Sequence, residues 1–94
     1  MKIEKIIWLD EIIEKLLVKH DVTQSEVIQV ITGGPAFRFV ENGFRKDEDI
    51  YSAMGRSVAG RFLAVFFVYK KGGVALIISA RDMTKGERRK YEQK

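Results

Sequence analysis

The stretch FLAVFFVYKKGGVALIISA, Phe62 to Ala80, decides the fold. Phe62 to Tyr69 is apolar at every position, which suits a central strand covered on both faces. Lys70-Lys71-Gly72-Gly73 is a hairpin turn, and Val74 to Ala80 is the returning strand. Upstream, Asp49 to Arg56 alternates Ile50, Ser52 and Met54 against Tyr51, Ala53 and Gly55, as a half-buried strand does. Ala36 to Val40 reads as a further strand. Asn42-Gly43 opens a loop, and Arg45 to Asp49 makes a charged connection.

The helices lie outside this block. Thr23-Gln24-Ser25-Glu26 is a capping box, with Val22 and Val27 as its hydrophobic staple. That helix runs to about Thr32 and stops at Gly33-Gly34-Pro35. Before it, Leu9, Ile12, Ile13, Leu16 and Leu17 form one apolar face of a helix over about 11–19, with Asp10 as N-cap. Ile3, Ile6, Ile7 and Trp8 read as a short strand or extended lead-in. Thr84-Lys85-Gly86-Glu87 repeats the capping box and opens a last short helix. The order (β)ααββββα predicts an α+β domain: an antiparallel sheet with two N-terminal helices and one C-terminal helix.

Ninety-four residues make one small domain, 46% apolar and 32% charged. A chain this short buries only ~60–65% of its unfolded surface, so a partner subunit adds stability. Lacking cysteine, it has no disulfide, thiolate zinc site or cysteine nucleophile, and a lone His20 excludes a catalytic histidine pair. The longest apolar run is far below the ~20 residues that span a bilayer, and no signal peptide follows Met1. The chain reads as soluble and cytoplasmic. Its charge is uneven: residues 1–50 carry 7 Lys/Arg and 10 Asp/Glu, whereas residues 51–94 carry 10 and 3, giving −3 and +7. A basic half creates a field that attracts phosphates.

The last fourteen residues hold Arg81, Lys85, Arg88, Arg89, Lys90 and Lys94 against Asp82, Glu87 and Glu92. Arg88 and Glu87 lie three and four residues before Tyr91, so each neighbours it on the helix. Arg81 stands where the returning strand ends. Together these residues supply guanidinium, carboxylate and phenol groups able to grip a phosphodiester and move protons. The plainer reading is an exposed basic helix whose Glu87 serves its cap. Elsewhere, Asp47-Glu48-Asp49 reads as a solvated acidic loop rather than a metal site. Phe62, Phe66, Phe67 and Tyr69 read as core rather than a base-stacking platform. No metal and no cofactor is expected.

Ile77-Ile78-Ser79-Ala80-Arg81 followed by Thr84, Glu87-Arg88-Arg89 and Tyr91-Glu92 resembles the end of the BrnT family of type II toxins. Gly55-Arg56-Ser57 with Gly60-Arg61 is similar to that family's middle hairpin. Lys19-His20-Asp21-Val22 resembles a segment in which the family has Gly where this chain has Asp21. The resemblance implies a RelE-like fold and a metal-independent ribonuclease that blocks translation until a cognate antitoxin masks it. It also implies catalytic roles for Arg81, Glu87, Arg88 and Tyr91, with Arg61, Arg89, Lys85 and Arg56 as substrate-binding residues. Departures from the family pattern are Glu48-Asp49-Ile50, where an Arg is lost, and Asp82-Met83, where a basic residue and Ala are usual.

The implied partners are RNA and an antitoxin, in a homo-oligomer or a toxin–antitoxin hetero-oligomer, with no membrane. Cleavage by the RNA 2′-hydroxyl needs no metal, with Arg81 and Arg88 or Arg89 neutralising the phosphorane. Two alternatives are a silent relative that only binds protein and a basic nucleic-acid-binding module that does not cut.

Overall fold

In the computed structural model, which describes residues 1–93, Gly72 and Gly73 turn the chain with φ of 87° and 77°. A Cβ at Gly73 would strike Glu4 and the Lys2 carbonyl, and the Gly73 carbonyl accepts from the Glu4 N–H at 2.7 Å. The turn therefore does more than reverse the chain: it lets the N-terminal lead-in lie against it. Strand β1 (Lys5–Ile7) then pairs with β5 (Val74–Asp82) in parallel.

The remaining strands are β2 (Ala36–Glu41), β3 (Asp49–Arg56) and β4 (Phe62–Lys70), and the sheet order is β1-β5-β4-β3-β2. All pairs except β1–β5 are antiparallel. The sheet is thus mixed, which corrects the all-antiparallel expectation. The three-residue β1 covers an edge of β5 that would otherwise be open, and local sequence cannot encode so distant a pairing.

Helices α1 (Asp10–His20) and α2 (Gln24–Thr32) cover one face, where Leu16, Val22, Val27, Val30 and Ile31 pack on Leu63, Val65, Phe67, Ala75 and Ile77. Each large apolar side chain fully buried there contributes roughly 1.5–3 kcal/mol. The α2 capping box closes as its sequence requires, and both staple valines are buried. Asp10 is the first residue of α1 rather than its cap; Leu9 holds the cap position with no side-chain hydrogen bond. The apolar face of α1 is also narrower than its spacing predicts, because Leu9 and Leu17 are exposed. Among the described residues no helix is long and apolar enough to cross a membrane.

α1 ends at Asp21, which adopts the left-handed conformation (φ 53°, ψ 40°) while the Val22 N–H reaches back to the Leu16 carbonyl. Left-handed backbone costs a residue with a Cβ roughly 1–2 kcal/mol, whereas glycine is free of that cost but loses more chain entropy on folding. Asp21→Gly should raise stability by about 0.5–1 kcal/mol in urea denaturation. A loss of stability would show that the Asp21 side chain, rather than its backbone, matters here.

The last helix, α3 (Lys85–Glu92), lies on the opposite face, against Phe62. A bulge in β5 decides which side chains this face carries. Phe67 pairs with Ile77 but Phe66 pairs with Ser79, so Ile78 is an extra residue. Side chains alternate along a strand, and without the bulge Arg81 would share the phase of Ala75 and Ile77, both fully buried under the helices. With it, Ala80 takes the buried phase and Arg81 turns to the α3 face beside Ala64.

Candidate active site

Arg81 and Glu87 meet at the mouth of α3. Arg81 Nη1 and Nη2 donate to Glu87 Oε1 and Oε2 at 2.7 and 3.0 Å, and Nη1 also donates to the Asp82 carbonyl at 3.1 Å. The Phe66 ring packs below the guanidinium, 5.1 Å from its carbon. Glu87 closes the capping box too, accepting from the Thr84 N–H at 2.8 Å. These bonds use three of the five guanidinium N–H groups and leave the Nε N–H and one Nη2 N–H uncommitted among the described residues.

The same contacts set the electrostatics. Hydrogen bonding to Arg81, then to the Thr84 backbone, holds the Glu87 carboxyl at about 2, and the Glu87 bond raises Arg81 above its ordinary value. Because the folded value lies below the usual 4.5, the stabilisation is complete above pH 4.5 and is lost as pH falls toward 2. Partial exposure of the pair limits it to about 1–2 kcal/mol. Thermal melts across that range should show the wild type losing this margin in excess of the loss that Glu87→Gln shows from the remaining carboxylates. Parallel curves for the two proteins would refute the linkage.

Two concavities flank α3. The larger, about 520 Å³, is a groove between β2–β3 and the helix, lined by Ala36, Arg38, Met54, Glu87, Lys90 and Tyr91. The smaller, about 450 Å³, is lined by Arg56, Gly60, Arg61, Phe62, Asp82 and Arg88. Between them stands an aromatic ridge. Phe62 meets the Tyr91 ring edge-on at 6.0 Å and carries the Arg88 and Arg56 guanidiniums at 3.9 and 4.7 Å. Met54 and Arg56 are two residues apart on β3 and point to the same face, so the two basins adjoin.

The expected site residues therefore divide. Glu87 and Tyr91 line the groove, with Arg81 joined to it through Glu87. Arg88 faces the second basin and pairs with Glu92 at 3.3 Å; Arg56 joins it there. Lys85 and Arg89 are exposed and line neither basin. Lys94 lies outside the described residues.

Arg61 is bonded within the fold. Its Nε and Nη2 fork onto Asp82 at 2.9 and 3.4 Å, Nη2 also donates to the His20 carbonyl at 2.9 Å, and Nη1 donates to the Asp21 carbonyl and to Glu26. All five donors are committed within the fold, so none is left for a phosphate. The Asp82 bond raises its pKa further. Asp82 takes two of the five donors, and Glu26 and the two carbonyls at the end of α1 take the rest.

Among the aromatic residues, Phe67 is core, whereas Phe62 and Phe66 face α3 and support arginines. Glu48 of the acidic loop pairs with Lys70 at 3.4 Å, and no three metal-ligating side chains gather among the described residues. Arg38, which lines the groove, was not singled out by the sequence reading. Its signal was a lone cation between Phe37 and Phe39, opposite the core face of β2.

Comparison with known proteins adds three findings. A family profile described as "Ribonuclease toxin, BrnT, of type II toxin-antitoxin system" matches residues 8–87. The chain is similar in fold to the crystal structure of the Brucella abortus ribonuclease toxin BrnT. That likeness has a TM-score of 0.60 and 18% identity, and covers 86% of this chain and 97% of that one. No curated protein sequence matches.

Proposed function

Since the chain belongs to the BrnT family of ribonuclease toxins of type II toxin–antitoxin systems, we propose that it cuts RNA in the groove beside α3 without a metal. In this reading it blocks translation and is neutralised by a cognate antitoxin in a hetero-oligomer. The fold is read as RelE-like. One observation carries the active-site assignment: Arg81 is held end-on by Glu87, with its Nε side directed away from that bond. A guanidinium fixed at one edge presents the other to a phosphate bidentately and loses little freedom on binding.

The reaction is attack by the RNA 2′-hydroxyl on its own phosphate, which forms a cyclic phosphate and expels the 5′-oxygen. Arg81 stabilises the charge that builds on the phosphorane. Glu87 is a positioning residue: a carboxylate held at about 2 is a weak base, so the 2′-hydroxyl proton leaves to solvent at the open groove. Tyr91, which lines the groove, is the group assigned to protonate the departing oxygen. Arg88 and Arg56, stacked on Phe62, hold the chain beyond the scissile bond.

The test is purified protein with single-stranded RNA in chelator, beside the same strand carrying a 2′-deoxy linkage throughout. Cyclic-phosphate ends from RNA alone are expected. Intact RNA, or equal cutting of both strands, would remove the reading.

A further inference from the structure

We propose that the groove between β2–β3 and α3 is a nucleotide subsite for unpaired RNA. A base lies against Met54 and Tyr91, and Arg38 and Lys90 grip the flanking phosphates. The inference deepens the ribonuclease reading by naming the substrate's strandedness and two residues that contact it.

Four features converge. The floor is apolar, from Ala36 and the nearly buried Met54, and the Tyr91 ring forms part of the wall. A volume of about 520 Å³ falls within the ~300–1,000 Å³ of small-molecule sites. Arg38 lies on β2 and Lys90 on α3, so cations stand on opposite walls of one concavity. Both are exposed, and neither has an ion pair among the described residues, whereas Arg61, Arg81 and Arg88 all do.

Two unneutralised like charges facing an apolar floor suit a ligand that is flat and apolar in the middle and anionic at both ends. One nucleotide of a strand has that form, and single-strand binding combines aromatic stacking with cations along the backbone. A paired base is stacked within a duplex and cannot enter the concavity. The cations continue past the Phe62–Tyr91 ridge to Arg56 and Arg88, so the path is longer than one nucleotide.

The experiment measures anisotropy of a fluorescein-labelled 2′-O-methyl oligouridylate, which lacks the attacking hydroxyl, and of the same strand annealed to its complement. The annealed form is expected to bind at least ~10-fold more weakly, the worth of one stacked base. Arg38→Ala and Lys90→Ala should each flatten the dependence of log affinity on log salt by about 0.7, one single-strand phosphate apiece, and Arg38→Lys should restore it. Melting curves should be unchanged, since both side chains are exposed. Equal binding of single and paired strands, no binding by the wild type, or an unchanged slope in either alanine variant overturns the inference. Cleavage of unmodified RNA is scored separately. Cutting with unchanged slopes rejects the subsite and keeps the nuclease; flattened slopes without cutting keep the subsite and reject the nuclease.

Discussion

Arg81→Ala should lower the rate of RNA cleavage by about 10²–10³-fold, the effect of removing one preorganised donor from a developing oxyanion. The same change breaks the fork to Glu87, so stability should fall by about 1 kcal/mol. The two losses separate by assaying well below the melting temperature. Arg81→Lys distinguishes charge from geometry: an ammonium cannot hold Glu87 and a phosphate each by two bonds, so most of the rate loss should remain. Glu87→Gln should act more mildly on rate, by about tenfold, because an amide still bonds Arg81 at one oxygen but positions it less firmly. If instead Glu87 were the general base, its removal would abolish cleavage as fully as the loss of Arg81. Single-turnover rates for the three variants decide between these roles.

The elements legible in the sequence are those governed by neighbours in the chain. Both capping boxes, Thr23 with Glu26 and Thr84 with Glu87, form as their spacing requires. The Phe62–Ala80 hairpin also forms, because its turn glycines and apolar runs act within a few residues of one another. Distant pairings were not legible. The parallel β1–β5 ladder joins the first strand to the last, and the extra residue at Ile78 appears only in the register with β4. That bulge decides whether Arg81 faces the helix-covered core or the side of the sheet that carries α3, so the candidate site was recognisable by residue type but not by direction.

The same limit explains Arg61, whose residue type is legible in the sequence and whose surroundings are not. Its acceptors come from α1, α2 and β5, three segments that meet only in the fold. Composition also exaggerates the basic half. Asp82, Glu87 and Glu92 each neutralise one of its arginines, and Glu26 of the acidic half reaches Arg61. Phosphate affinity therefore depends on which cations keep N–H donors uncommitted rather than on their number.

Arg61→Ala should be the most destabilising change among the charged residues, by about 2–3 kcal/mol, because it strands several groups at once. Asp82 and Glu26 lose their counter-charge, and the His20 and Asp21 carbonyls at the end of α1 lose their donor. With a quarter of the Arg61 side chain exposed, water re-solvates part of this set, which keeps the loss below that of a fully buried charge pair. For a domain of this size the melting temperature should fall by roughly 10–20 °C. Arg61→Lys should recover only part, since three donors on one nitrogen cannot reach acceptors spread over α1, α2 and β5. Asp82→Asn should cost about 1 kcal/mol, because the carbonyl and Glu26 bonds survive. Cleavage per folded molecule, measured below the lowered melting temperature, should stay within a few-fold of wild type. A variant that melts normally but binds RNA with a flattened salt dependence would return Arg61 to the substrate-binding set, and would mean that the Asp82 fork opens when RNA arrives.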